Sequence, residues 1–76
     1  MKDDKLKYYN SLKGKIVRLS KLSGPEYYLR YYGSIKEVYD DCLIIFDYKL
    51  QKEILLSFDN LSVLNIEDKK EDEINE

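Results

Sequence analysis

The sequence predicts an all-β fold, a small five-stranded barrel, and three observations carry that prediction. Five short runs rich in β-branched and aromatic residues recur at spacings of about ten residues. Gly, Pro, Asp and Asn stand between those runs, where tight turns need them. No helical period separates one run from the next, which excludes a parallel α/β sheet. A chain of 76 residues has room for one domain. In so small a sheet, closure into a barrel removes the exposed edges.

The elements follow in order. Residues 1–11 form a charged segment with a short helix, whose apolar stripe of Leu6 and Tyr9 is too brief to hold without docking on the domain. Gly14 punctuates the entry to the first strand. Residues 15–21, KIVRLSK, place Val17 and Leu19 on one face. Ser23, Gly24, Pro25 and Glu26 make a loop. Residues 27–38 read as a long second strand, and Gly33 in its middle predicts a bulge or sharp bend. Tyr39, Asp40 and Asp41 turn the chain into residues 42–48, CLIIFDY, the most apolar run and the expected central strand. Residues 49–51 turn again, and 52–58, KEILLSF, form the fourth strand. A tight helical turn at Asp59, Asn60 and Leu61 leads to the last strand, 62–67. The domain therefore spans 12–67, and 68–76 is expected to be a disordered acidic tail.

Charge is unevenly spread. The net charge is −2. Residues 1–11 carry +1, residues 12–66 carry +1, and residues 67–76, with six acids against two lysines, carry −4. The body is nearly neutral, unlike the strongly basic body of a duplex-DNA binder. An acidic tail of this kind is either a solvated end or a shield for the basic side chains of the body. No apolar run approaches the roughly 18 residues of a membrane helix. The N-terminal residues lack the apolar stretch of a signal peptide. Cys42 is the single cysteine, which excludes an internal disulfide and suits a reducing compartment. The expected location is the cytoplasm, with no membrane and no duplex DNA as partner.

Catalysis finds little support. The chain has no histidine, so neither a Ser-His nor a Cys-His pair exists. Cys42 opens an apolar strand and reads as an inert thiol. Asp40 and Asp41 read as a solvated pair in a turn. A hard cation at Asp40, Asp41 and Asp47 lacks the spacing of a calcium loop, and the three glycines are too scattered for a phosphate loop. No enzyme activity, cofactor or metal is expected.

The eight tyrosines are the unusual feature. On a strand, Tyr27 and Tyr31 share one face, and Tyr28, Arg30 and Tyr32 share the other, with Lys36 further along. Tyr28, Arg30, Tyr32 and Lys36 are therefore the candidate ligand face. Aromatic rings flanking a guanidinium suit the core of a protein interface. They equally suit single-stranded nucleic acid, whose bases stack on rings and whose phosphates meet cations. The bland alternative is that these tyrosines are good strand residues covering the sheet.

Three stretches resemble the Sm-like family of small SH3-like barrels, which includes Sm, LSm and Hfq proteins. Leu12-Lys13-Gly14-Lys15-Ile16-Val17-Arg18-Leu19 is similar to the opening strand. Tyr32-Gly33-Ser34-Ile35-Lys36-Glu37-Val38, with Asp40 and Asp41, resembles the first Sm motif. Ile54-Leu55-Leu56-Ser57-Phe58-Asp59-Asn60-Leu61-Ser62-Val63-Leu64 resembles the second. The resemblance implies an SH3-like (Sm-like) barrel, rings built by pairing the fourth and fifth strands of neighbours, and single-stranded RNA as a ligand. The sequence departs from the motifs at Leu43, where the family has a base-reading Asn. It departs again at Ser57-Phe58-Asp59-Asn60, where the family has Arg-Gly or Lys-His before the turn. The family's uridine pocket is thus not carried over. The expected function is a non-enzymatic binding and assembly module, contacting a protein partner or itself through the Tyr-rich face. A single-stranded RNA-binding protein is the alternative.

Overall fold

The computed structural model describes residues 2–70. A helix, α1 (Lys2–Ser11), precedes five strands: β1 (Lys15–Leu22), β2 (Tyr28–Val38), β3 (Cys42–Asp47), β4 (Lys52–Ser57) and β5 (Leu61–Lys70). All strand pairs are antiparallel, in the order β4-β3-β2-β1-β5. The strand expected to end at residue 67 runs on to Lys70, and the remainder of the expected tail, 71–76, lies outside the described residues. Among the described residues no helix is long and apolar enough to cross a membrane.

The expected closed barrel is not what this sheet forms. β4 hydrogen-bonds only to β3, and β5 only to β1, so both remain edges. The connection between them explains why. The chain leaves β4 at Phe58, whose ring is buried in the core and stacks on Tyr9 at 4.6 Å. The Phe58 amide donates to Asp41 O, and the Leu61 amide donates to Phe58 O. This turn, with Asn60 in the left-handed region at φ 60°, carries the chain across the mouth of the sheet. A hairpin would have paired β4 with β5. Lys21 of β1 spans the gap instead. Its Nζ donates to Ser57 O at 3.1 Å, to Ser57 Oγ at 2.6 Å and to Asp59 O.

One face of the curled sheet encloses the core, formed by Val17, Leu19, Ile35, Leu43, Ile45, Leu56 and Phe58. Alternation puts these residues on one side of their strands. α1 supplies Tyr9 and Leu12 to the same cluster. Its stability comes from that docking, since ten residues are too few for an isolated helix. Gly14, at φ 86°, ends it in a conformation that disfavours a side chain, and its amide reaches Ile35 O at 2.8 Å.

The irregularity expected at Gly33 lies elsewhere. The register of β2 against β3 shifts between Ile35 and Glu37, which makes Lys36 the extra residue. Gly33 has a different cause. A Cβ there would sit 1.7 Å from the Phe46 carbonyl oxygen, so only glycine lets β3 approach this closely. A second irregularity, between Arg18 and Leu19 of β1, leaves Leu64 of β5 without a registered partner.

Candidate functional site

The sheet's second face carries the candidate residues. Register pairs Arg18 with Tyr32, Ser20 with Arg30 and Leu22 with Tyr28, so Tyr28, Arg30 and Tyr32 lie together on that face. Lys36 lies apart from them, at the β2 bulge beyond Gly33. Tyr31 packs against the core, and Tyr27 precedes the strand and is exposed.

The three aligned residues are not equivalent. Tyr28 is 56% exposed. Arg30 is exposed as well. Tyr32 is half-buried and committed to protein contacts. The Arg18 guanidinium lies 4.3 Å from its ring centroid. Tyr48 packs edge-on at 5.5 Å, and Phe46 packs on Tyr48 at 5.9 Å. The Tyr32 hydroxyl donates to Glu67 Oε2 of β5 at 3.1 Å. Burial first, then the Glu67 hydrogen bond and negative charge, push the Tyr32 pKa above its usual value, and Arg18 opposes them. Next along the same face, Ile16 and Ser34, registered partners, are fully buried.

Beside Tyr32 the surface opens into a cleft of about 300 Å³, lined by Arg18, Leu19, Arg30, Tyr31, Tyr32, Lys49 and Leu64. It brings together three cations. Among the described residues, no carboxylate lies within salt-bridge distance of Arg18, Arg30 or Lys49; the recorded ion pair, Lys13–Glu37 at 3.2 Å, is elsewhere. The cleft is thus electropositive on a nearly neutral body. Arg18, Lys49 and Leu64 were not among the expected ligand residues. Arg18 carried a signal, since a charged residue between Val17 and Leu19 must face away from the core. Lys49 and Leu64 carried none, because the turn and the β5 irregularity alone bring them here.

The acidic residues do not converge. Asp40 and Asp41 precede β3, and Asp47 ends it, at least about 20 Å away along the strand. Asp47 is fully buried, and its Oδ1 accepts from the Lys49 and Leu50 amides at 2.8 and 3.0 Å. It caps the β3–β4 turn, in which Gln51 adopts φ 58°. Its Oδ2 is buried with no hydrogen-bond partner. Among the described residues no group of three or more His, Cys, Asp or Glu is placed to hold a metal ion. Cys42 is partly buried, and burial, then a hydrogen bond and negative charge from Asp41, push its thiol pKa up.

The exposed large aliphatic side chains of the strands sit on the two edges. Leu55 on β4 is 63% exposed, and Leu64 and Ile66 on β5 are 51% and 37% exposed. Comparison with known proteins assigns no family: no family model, curated protein or solved structure matches the chain.

Proposed function

We propose that this protein is a non-enzymatic binding and assembly module that associates with further copies of itself through the two edges of its sheet. The observation that carries this reading is the pair of unpaired edges, each bearing exposed apolar side chains: Leu55 on β4, Leu64 and Ile66 on β5. An edge strand presents free amides and carbonyls to any strand laid beside it. Apolar side chains on that edge add burial to the backbone pairing. The strand order β4-β3-β2-β1-β5, with a helix that adds Tyr9 and Leu12 to the core, supports an Sm-like, half-open relative of the SH3-like barrel, whose members associate by these strands. The Tyr-rich face contributes less to this reading than the edges do, because Tyr31 and Tyr32 are already packed. The absence of histidine from the chain supports the non-enzymatic part.

The test is molecular mass in solution by light scattering at ~100 µM, an ordinary concentration for interfaces of standard size. The expected result is an oligomer of defined mass for the parent chain and a folded monomer for Leu55→Glu. Leu55 is too exposed for that substitution to disturb the core. A monomeric parent ends the proposal. A second reading, a single-stranded RNA-binding Sm-like protein, draws support from the cations of the cleft. It requires oligonucleotide binding that weakens steeply with salt.

A further inference from the structure

We propose that the cleft of Arg18, Arg30 and Lys49 is a carboxylate-binding site, and that its ligand is the chain's own acidic segment, residues 71–76. This goes beyond assembly through the edges and does not depend on it.

Three observations carry the inference. The first is charge complementarity. Three cations line one cleft with no carboxylate within ion-pair distance among the described residues. The segment reads EDEINE, four carboxylates around one apolar residue, Ile74. Leu64 gives the cleft an apolar wall to match it. The second is delivery. β5 borders the cleft and ends at Lys70, registered with Lys15, three residues before Arg18 on β1 and so about 10 Å away. Six residues reach about 20 Å when extended, enough to turn and run back to Arg18. The third is Glu67. It belongs to the same acidic stretch, and its carboxylate already accepts from Tyr32 at the border of the cleft. The cleft also favours a carboxylate over a nucleotide. Arg18 and Tyr48 occupy the Tyr32 ring on which a base would stack.

The test compares the full chain with the full chain carrying E71Q, D72N, E73Q and E76Q, which removes the charge and leaves every described residue in place. The first readout is the NMR Nε–H resonances of Arg18 and Arg30. Docking predicts that both shift in the variant while the Lys13–Glu37 region does not. Raising NaCl to ~0.5 M should move the parent's resonances the same way, since exposed ion pairs are screened. The second readout is binding of inorganic triphosphate, a small polyanion that competes for the cations. The variant should bind it about 10-fold more tightly than the parent, the scale of a few exposed ion pairs. Arg18→Gln with Arg30→Gln should abolish that difference. Unchanged arginine resonances, or equal triphosphate affinities, overturn the proposal. So does a single-stranded oligonucleotide that binds parent and variant equally, which gives the cleft to nucleic acid. Mass in solution does not enter either readout, so this proposal and the assembly reading fail separately.

Discussion

Replacing Gly33 by alanine tests how the sheet is held together at its centre. The added Cβ would meet the Phe46 carbonyl oxygen at 1.7 Å and the carbonyl carbon at 2.7 Å. A comfortable carbon–oxygen contact is about 3.3 Å, so β2 and β3 must separate by about 1.5 Å. Neighbouring strands sit about 4.8 Å apart, and a shift of that size breaks the local ladder. The Gly33–Asp47 pairing and the bond from the Tyr48 amide to Tyr32 O lie at that point. Overpacking a well-filled site costs about 1–3 kcal/mol, and the loss of two backbone bonds adds about 2 kcal/mol. The expected destabilisation is therefore about 3–5 kcal/mol. A domain of this size has roughly 4–10 kcal/mol in all. Gly14→Ala is the control. It meets no atom within 4 Å but must adopt φ 86°, which costs about 1–2 kcal/mol. Urea unfolding followed by far-UV circular dichroism measures both. A Gly33→Ala midpoint at or above that of Gly14→Ala, with an unchanged slope, would refute the reasoning.

Other consequences are as direct. Asp47→Ala removes the two bonds that cap the β3–β4 turn and should cost about 2 kcal/mol. Asp47→Asn keeps an oxygen for them and removes a buried, half-partnered charge, so it should match or exceed the parent; equal damage from both in urea melts argues against the cap. Lys21→Met should lower stability by about 1–2 kcal/mol, by freeing the contacts between β1 and the β4–β5 turn, and hydrogen exchange should show the loosening near residue 59. Burial, then repulsion from Tyr8, raise the Tyr9 pKa above its usual 10.0. The folded state thus favours neutral Tyr9. That contribution is fully present below about pH 10 and is lost as pH rises through the folded pKa. Tyr9→Phe should flatten the alkaline fall in stability, and an unaltered pH profile would show that Tyr9 contributes nothing to it. Cys42, with its raised pKa, should react with iodoacetamide at pH 8 more slowly than a free thiol in a peptide.

Much of this fold could be read from residue types. The β-branched and apolar runs marked all five strands, because side-chain alternation and turn chemistry are local signals. Phe58 shows where local reading stops. Its place at the end of β4 is visible in the sequence, but whether β4 closes against β5 depends on Tyr9, forty-nine positions earlier, drawing that ring into the core. Gly33 reads in the sequence as a bulge or sharp bend, but the glycine answers to the close approach of the Phe46 carbonyl, which only the pairing of β2 with β3 reveals. At the candidate site, alternation placed Tyr28, Arg30 and Tyr32 on one face correctly. It could not show that Tyr32 is held by Arg18 and Glu67, since those contacts come from the register of β1 with both neighbours. The bulge at Lys36 was not legible either, since it shows only in the register of β2 against β3.

The two edges of the sheet differ from each other. One carries Leu55, the other Leu64 and Ile66. In the proposed assembly a contact between these unlike patches is head-to-tail, so joining two copies always leaves one patch of each kind unsatisfied. Growth then has only two ends. It stops if the rotation from copy to copy divides a full circle, and otherwise it continues as a filament. Lys21 and Phe58 hold the connection between those edges, the one by bonds to Ser57 and Asp59, the other by packing on Tyr9. In the proposed assembly, the angle between one subunit's two edges thereby decides between a closed circle and a filament.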